Sequence, residues 1–582
     1  MNVARLLHMS PAEVGNRVQQ AIAKRWASPP PCRLIPSAET PSLPDLPPLD
    51  SPAAAEKIRR HRFDLLGYRD LDFGTPIDWH LDPVHNKRAP RLAWYDIPFL
   101  DFDRVGDHKI IWELNRHQHL VTLAQAGFRD EVLTQWTHWQ AENIYPVGIN
   151  WASTLEVAFR ALSWLWVRQL LGDFHRDLLP SLHLHGWYIE RFLSTYFSPN
   201  THLLGEAVAL FAIGTMCPTI ASAARWRNRG WQIILEQSEN QVRPDGFHFE
   251  QSVYYHVYAL DFFTFARDLA ARNSLPVPPL LEQTIARMEE SLTALSVDGR
   301  TPNFGDDDGG HVITASLRRP SAGGSSISQT GGIHIMNSRG SKLFIDAGPQ
   351  GAFAGGHGHA DALSLQLILP GGPVLIDPGT FCYVCPERDR FRGTAAHNTV
   401  QIDGRDQAVP NGPFAWKNMP ETVVDRWYAG DAYDFFAGRH NGYTPVIHHR
   451  SVFNLKDKFW LVRDKVTGPL NPRLDIHWHY LELQELSIIP PSGHTWSERR
   501  ERWDWSPVYG RQEPASVLRF GTQSSLPVEF AVVLVAGPAG TLTSSGPGSY
   551  LYKEPQGSEH RFEFIEDRFT YRCAGSGQEF CL

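Results

Sequence analysis

Cysteine, methionine and long apolar runs are all scarce in this chain. It has six Cys and six Met among 582 residues, and no run of eighteen consecutive apolar residues. So few cysteines imply no disulfide framework, and the missing apolar run predicts that the chain does not span a membrane. Residues 1–26 lack an unbroken apolar stretch of signal-peptide length and predict a surface helix. A cytoplasmic location follows by default, with a periplasmic or secreted location left open.

Positive charge is also in deficit. Lys and Arg number 55 against 63 Asp and Glu, which gives a formal net charge of −8 at pH 7. This balance argues against wholesale nucleic-acid binding, so an anionic ligand would need a locally basic cleft. Aromatic residues are plentiful, with 19 Trp, 17 Tyr and 31 Phe. Their flat faces suit core packing and the stacking of sugar rings equally well.

The organisation of the chain changes twice. Residues 28–52 are crowded with proline and predict an extended tether after the first helix. Residues 110–295 show helical apolar periodicity and predict antiparallel helix pairs, including helices at 154–171, 203–216 and 253–271. After the glycine-bounded acidic turn at 306–308, short alternating runs predict a large antiparallel β-sandwich. The predicted fold class is α+β multidomain, with divisions at 1–52, 53–320 and 321–582.

A glycine-rich segment, residues 355–361, contains His357 and His359. Asp377 and His397 follow it, each beside a predicted strand. Imidazole and carboxylate are the groups that hold a divalent metal or move a proton at neutral pH. Because glycines flank both histidines, the two rings are free to diverge, one toward a metal and the other toward a substrate. Taken singly, a histidine beside glycine is more often an ordinary turn residue, but three histidines and an aspartate this close together favour a functional site.

Polar residues also gather at the starts of two predicted helices. Asn200 or Thr201 follows a proline and suits a helix N-cap. His202 and Glu206 are four residues apart on one face of that helix, where they can hydrogen-bond to each other. Tyr255 and His256 stand at the start of another predicted helix, where tyrosines usually serve in packing.

A third polar cluster joins Asn150 and Trp151 to a downstream helix. Glu156 and Arg160 are four residues apart there and predict an ion pair within the helix. The pair Cys382 and Cys385 has redox or zinc spacing. No second pair lies near it and no βαβ context surrounds it, so structural thiols are predicted.

In this order, the motifs resemble those of the heparinase II/III superfamily of polysaccharide lyases. The resemblance covers about residues 105–480. It is carried by residues 112–118, 148–151, 198–206, 245–246, 255–256, 355–361 and 397–399. It implies an incomplete (α/α) toroid joined to a large antiparallel β-sandwich, with the active site in the cleft between them.

The resemblance also implies site roles, residue by residue. Asn200 would bind the uronate carboxylate with support from His202, Tyr255 would be the acid and a candidate base, and His357 would be the partner base. One divalent metal, Zn, Mn or Ca, would be held by His359, Asp377 and His397. Predicted substrate contacts are Asn150, Trp151, Arg160, Glu206, His256 and Arg392.

One departure from the family pattern affects the charge balance of the site. Relatives can carry an arginine shortly after the catalytic tyrosine, where this chain has Val257 and Tyr258. Another basic residue, such as Arg160, Arg390 or Arg392, would then have to neutralise the substrate. The run of arginines from residue 388 to 392 mildly favours a sulfated or densely acidic chain, and a solvated basic turn is an equal interpretation.

The predicted reaction is β-elimination on a uronate-containing acidic polysaccharide, which leaves a 4,5-unsaturated uronate. Heparan sulfate, hyaluronan, chondroitin sulfate and alginate all offer the required bond. Two alternatives stay open. A glycoside hydrolase would need two carboxylates, for which Asp306, Asp307, Asp308 and Glu250 are candidates. A non-catalytic polysaccharide-binding protein would keep an aromatic cleft and have little use for the Tyr–His pair. The sequence predicts no oligomeric state.

Overall fold

The fold was analysed in a computed structural model that describes residues 9–49, 51–312, 327–481, 486–566, 568–574 and 577–582. Helices fill the first half of the chain and strands fill the second, as predicted. The predicted division at residue 320 lies outside the described residues. Within the described part, no helix combines the length and the apolar character needed to cross a membrane.

The N-terminal helix and the proline-rich segment pack against the helical half. Helix α1 (Pro11–Trp26) starts at Ser10, whose side chain accepts from the Glu13 amide. The segment after it is extended, as predicted, but it is bound along its length rather than free. Ile35 donates its amide to the Thr219 carbonyl, and Leu43 is fully buried. A short region follows with α2 (Pro52–Arg59), β1 (Arg62–Leu65), β2 (Tyr68–Asp72), β3 (Leu81–Asp82) and β4 (Lys87–Arg88).

Paired helices form the main body of the first half. They are α3 (Phe102–Val105), α4 (His108–Asn115), α5 (Gln118–Gln125), α6 (Arg129–Glu142), α7 (Thr154–Leu171), α8 (Leu178–Arg191), α9 (Thr201–Met216), α10 (Ala223–Asn240), α11 (Val253–Arg272) and α12 (Pro279–Leu295). Helix α9 is apolar on every side and nearly all of it is buried, so it forms the centre of this layer. Gly230 permits the close approach of α10, since a Cβ there would lie 2.5 Å from the Ala207 carbonyl oxygen.

Among the described residues from 327 onward, the strands form three antiparallel sheets. The first holds β5 (Gln329–Thr330), β6 (Ile333–Ser338), β7 (Ser341–Asp346), β8 (Leu365–Leu369), β9 (Gly372–Leu375), β10 (Val400–Ile402), β15 (Arg473–Tyr480), β17 (Ser497–Val508) and β18 (Arg511–Gln523). The second holds β11 (Thr422–Ala429), β12 (Tyr433–Tyr443), β13 (Val446–Leu455), β14 (Phe459–Thr467), β16 (Leu486–Ser492) and β19 (Val528–Ala536). The third is a meander of β20 (Thr541–Gly546), β21 (Ser549–Lys553), β22 (Glu559–Ile565), β23 (Arg568–Ala574) and β24 (Glu579–Cys581).

These sheets stack as layers with two separate cores. One core lies between the first and second sheets and includes Leu367, Trp478 and Val462. The other lies between the second sheet and the meander and includes Phe453 and Tyr571. The predicted sandwich is therefore present, and the meander adds a third layer to it.

The helical half and the first sheet meet through an apolar contact. Phe247, Val253 and Leu295 pack with Ile333 and Phe344 in one buried cluster. This contact sets the start of helix α11 against the loop that joins β7 to β8. The candidate site lies at this junction.

The interpretation of Cys382 and Cys385 as structural thiols is wrong, because the two residues are joined by a disulfide. Their Cα atoms are 5.9 Å apart, within the usual range for a disulfide. A three-residue spacing reaches that separation when the chain turns tightly. The short helix α13 (Arg388–Arg392) follows this turn.

Arg450 ties the second sheet to loops of the first. Its guanidinium donates to both oxygens of Asp464, at 2.8 and 3.1 Å, and to the carbonyls of Leu363 and Asn398, both at 2.7 Å. All four groups are buried. Asn398 stands beside His397, so Arg450 supports a loop of the candidate site.

We expect Arg450→Ala to lower the free energy of unfolding by about 3–5 kcal/mol, because it leaves the buried Asp464 carboxylate with His448 as its remaining side-chain partner and removes the donor to the buried carbonyls of Leu363 and Asn398. Arg439→Ala is the matched control, since Arg439 pairs with Asp425 at the surface of the same sheet and its loss should cost about 1 kcal/mol or less. Urea unfolding measures both. Equal losses in the two variants would contradict this account of Arg450.

Candidate active site

Two aromatic rings from the two halves of the molecule stack at the junction. Tyr255 lies in the first turn of α11, where its amide donates to the N-cap side chain of Ser252. His357 lies in the loop between β7 and β8. The ring centroids of Tyr255 and His357 are 3.8 Å apart, with 20° between the planes. Glycine is required at residue 358, because a Cβ there would overlap the carbonyl oxygen of Gln350.

The hydroxyl of Tyr255 has a phenolic partner that the sequence analysis missed. It lies 2.8 Å from the hydroxyl of Tyr383, which comes from the turn closed by the disulfide. The neighbouring Tyr254 points elsewhere and donates to the Gly310 carbonyl. Burial raises the pKa of Tyr255 well above its usual value, and Asp308 raises it further. The Tyr255 phenol therefore carries its proton at neutral pH.

Asn200 caps helix α9 and faces Glu250. Its Oδ1 accepts from the His202 amide, and its Nδ2 donates to Glu250 at 2.7 Å. Thr201 binds the other oxygen of Glu250 through its amide and its hydroxyl. Glu250 also lies 3.4 Å from Nε2 of His357. One carboxylate therefore holds the cap of α9 beside the stacked imidazole, and the second N–H of Asn200 is left to donate to another acceptor.

His202 stands one position beyond this contact, in the first turn of α9. It is half-buried. Burial lowers its pKa to about 4, and the neighbouring imidazole of His357 acts in the same direction. His202 is therefore neutral at pH 7, so it can hydrogen-bond to an anion but supplies no full positive charge.

Asp306 is the most connected polar group at the junction. Its two oxygens accept from Arg388 at 2.5 and 2.7 Å, and each lies 3.1 Å from one histidine, His357 or His359. The Thr380 hydroxyl donates to it at 3.2 Å. Burial alone would raise the pKa of Asp306, but Arg388 and the two histidines hold it well below its usual value. Asp306 is therefore an ionised carboxylate that orients both rings.

Two cations sit in the helical wall of this region. Lys109 lies 3.1 Å from Asp308, and Arg116 binds Glu156 through two hydrogen bonds. The predicted ion pair between Glu156 and Arg160 is therefore wrong, because Glu156 reaches across to helix α4. The charge of Arg116 also acts on His202. Lys109 and Arg116 are thus the cations near the predicted carboxylate contacts, where a basic residue was expected to neutralise the substrate. Both already pair with carboxylates of the protein.

A second buried cluster brings together His359, Asp361, Asp377 and His397. Their ligand atoms all lie within 4.8 Å of one another. Nε2 of His397 is 3.1 Å from Asp377 and 3.2 Å from Nδ1 of His359. Ligands about 2.1 Å from a tetrahedral zinc ion lie about 3.4 Å from one another. The cluster therefore has the donor types and the spacing of a metal site that could bind a divalent ion.

Hydrogen bonds outside the cluster set the tautomers of its two imidazoles. Nε2 of His359 faces Asp306, and Nδ1 of His397 donates to the Gly393 carbonyl. The other ring nitrogens then turn their lone pairs toward each other, and toward an oxygen of Asp377 that accepts no hydrogen bond from the described residues. A cation would satisfy all three, and carboxylates and carbonyls commonly orient ligating histidines in this way.

Three of the predicted substrate contacts lie in the interior of the helical half. Asn150, Trp151 and Arg160 are at most 1% exposed. The Asn150 amide donates to the side chain of Asn143, and the Arg160 guanidinium lies over the rings of Trp139 and Trp151. Burial lowers the pKa of Arg160 to about 9. The structure thus gives these three residues core positions instead of positions on the cleft surface.

The other three predicted contacts also have interior partners. Glu206 accepts from the amide and the hydroxyl of Ser194, so the expected hydrogen bond to His202 does not form. His256 is bound at both ring nitrogens by backbone groups. Arg392 donates to two backbone carbonyls of a neighbouring turn. Each of these side chains braces the walls of the site without facing its centre.

The junction is nearly closed. Tyr255 is 5% exposed and His357 is 7% exposed. Both side chains are therefore largely shielded from solvent in this arrangement.

The fold and the site define a class of protein, and comparison with known proteins supplies the family. Residues 50–318 match the model described as "Heparinase II/III N-terminus", and residues 322–516 match "Heparinase II/III-like, C-terminal". The chain belongs to the heparinase II/III family and is a polysaccharide lyase with a toroid joined to a β-sandwich.

Individual relatives agree with this assignment. A heparin-sulfate lyase of Pedobacter heparinus is 26% identical over 484 residues, covering 74% of this chain and 68% of the relative. One from Bacteroides stercoris is 23% identical over 499 residues, covering 73% and 69%. A solved heparinase III superposes with a TM-score of 0.69 at 16% identity, covering 98% of this chain and 95% of that one. At such identities the solved structure supports the fold alone.

Proposed function

We propose that this lyase cleaves heparan sulfate or a closely similar glycosaminoglycan by β-elimination at a 4-linked uronate. The stacked Tyr255 and His357, which join the two halves of the molecule beside Asn200, carry the proposal. The curated relatives named as heparin-sulfate lyases favour this substrate over hyaluronan, chondroitin sulfate and alginate. This glycosaminoglycan is the proposed binding partner of the site.

Each residue has a role that its surroundings support. Asp306 holds the Nδ1 proton of His357, which leaves Nε2, on the side of Glu250, to take the C5 proton of the uronate. Tyr255 keeps its proton and can deliver it to the leaving 4-oxygen. Asn200 and the neutral His202 would hydrogen-bond the uronate carboxylate, where negative charge grows as the C5 proton leaves. A hydrogen bond donated by the Tyr383 hydroxyl would stabilise the negative charge on the Tyr255 oxygen after Tyr255 has given up its proton.

The hydrolase alternative has weaker support. Three of its four candidate carboxylates are already committed: Asp306 to Arg388, Asp308 to Lys109, and Glu250 to Asn200. Burial raises the pKa of the fourth, Asp307, to about 7, but hydrolysis needs a second carboxylate and the other three candidates are paired. A carboxylic acid that donates to a glycosidic oxygen needs an available proton, and Asp306 is held ionised. A binding protein without catalysis has no use for an imidazole oriented by an ionised carboxylate.

We further propose that His359, Asp377 and His397 hold one divalent cation, with Asp361 beside them. Two imidazoles favour zinc or manganese over calcium. The ion would link the 355–361 loop to the segments before β10 and after β9. Its contribution is structural, because no oxygen of the substrate needs to reach it.

Replacing Tyr255 by Phe, or His357 by Ala, should lower kcat by about 10²-fold or more with little change in substrate affinity, because each group acts in the transition state. Tyr254→Phe is the matched control and should keep most of its activity, since its hydroxyl binds a backbone carbonyl. The assay follows ultraviolet absorbance of unsaturated products from heparan sulfate, hyaluronan, chondroitin sulfates and alginate. New reducing ends without unsaturation would reject elimination.

Metal removal should lower the melting temperature measurably and leave kcat at a temperature where the protein is folded nearly unchanged, because the proposed role of the ion is structural. We expect about one divalent ion per chain by elemental analysis, and loss of that ion in Asp377→Asn and His397→Ala. His334→Ala removes a buried imidazole of the same sheet outside the cluster, and it should keep the ion even if it is less stable. Absence of metal from the wild-type protein, with no effect of chelation on melting, would disprove the site.

A further inference from the structure

A pocket on the helical half, outside the active site, is lined by aromatic and basic side chains. It has a volume of about 420 Å³, within the range of ligand pockets. The end of α1, the loop around residue 145 and helix α8 form its walls. The lining residues include Lys24, Arg25, Trp26, Tyr95 and Tyr145. It shares no residue with the site at the junction.

Trp26 is the most unusual member of this pocket. It is 82% exposed, the highest exposure of any large hydrophobic side chain among the described residues. Ile144, across the pocket, is 65% exposed. Large apolar groups exposed together mark interaction surfaces more often than chance. A flat indole beside two phenols offers faces on which a sugar ring can stack.

The basic residues of the pocket lack acidic neighbours. In the part of the chain that the structure describes, no carboxylate lines the pocket. Lys24 lies 5.1 Å from the Trp94 ring centroid, and burial alone lowers its pKa, with no carboxylate raising it back. Burial raises the pKa of Tyr145, and the exposed Arg191 nearby opposes that rise. In a chain with a net charge of −8, this cluster of cations is an exception that favours an anionic ligand.

We infer that this pocket is a second binding site for an acidic saccharide. Trp26 and Tyr145 stack on sugar rings, and Lys24 and Arg25 bind their carboxylate or sulfate groups. The choice of saccharide rests on the proposed function, because a lyase meets its polymer substrate as a long chain. A second contact on the same polymer raises its effective concentration at the active site without a role in the chemistry.

The first test is affinity electrophoresis in gels that contain heparan sulfate or hyaluronan. All proteins carry Tyr255→Phe, so the polymer stays intact. We expect the double variant Lys24→Ala/Arg25→Ala to be retarded less than the control Arg499→Ala/Arg502→Ala, which removes two exposed arginines from strand β17. A difference between the two double variants in heparan sulfate gels alone assigns the anion bound by the pocket as sulfate, and a difference in both gels assigns it as carboxylate. Equal retardation of the two double variants would overturn the second site.

The second test compares long and short substrates. Trp26→Ala and Lys24→Ala/Arg25→Ala should raise KM for polymeric substrate by about 3- to 10-fold, with kcat unchanged and with tetrasaccharide kinetics unchanged. Unchanged KM on the polymer, with normal cleavage, would overturn the second site and leave the proposed function intact. Failure of the wild-type protein to form unsaturated products would overturn the proposed function, and the electrophoresis result would then decide the second site by itself.

Discussion

The carboxylate of Asp306 is the interaction on which the rest of the junction depends. It receives a guanidinium, two imidazoles and a hydroxyl in a buried setting. An ionised carboxylate buried in this way is stable only while those donors surround it. Through His357 it orients the ring stacked on Tyr255, and through His359 it sets the tautomer of a candidate metal ligand. One side chain thus couples the proposed proton-transfer pair to the candidate metal cluster.

A second buried carboxylate held by a guanidinium lies deeper in the sheets. Arg450 and Asp464 form a buried pair that holds the backbone beside His397. Buried charge pairs therefore hold the side chains of the junction in position. Apolar packing holds the helical layer against the first sheet. This division explains why residues predicted to contact substrate, such as Arg160 and Arg392, have interior partners. The site is built from loops of two layers, and many of its polar side chains stabilise those loops instead of contacting a ligand.

Periodicity in the sequence predicted the helices well where one face or all faces are apolar, as in α7, whose predicted bounds match the structure. Alternation and glycine turns predicted the strands, but not the third layer, because stacking order depends on contacts distant in the sequence. The resemblance named Tyr255 and His357, which the structure stacks together. Tyr383 and the orienting role of Asp306 were missed, because neither a lone tyrosine beside a disulfide nor one acid among three carries a distinctive local pattern.

The proposed role of Asp306 is to orient His357 for proton transfer, and the kcat of Asp306→Asn measures that role. An amide in this position can donate to Nδ1 and so favours the wrong tautomer of the imidazole. At a temperature where the variant is folded, kcat for formation of unsaturated product should fall by about 10²-fold or more with KM little changed. Asp307→Asn, the adjacent acid that accepts from the Gly309 amide, should stay near the wild-type value. An Asp306→Asn variant with wild-type kcat would contradict the account.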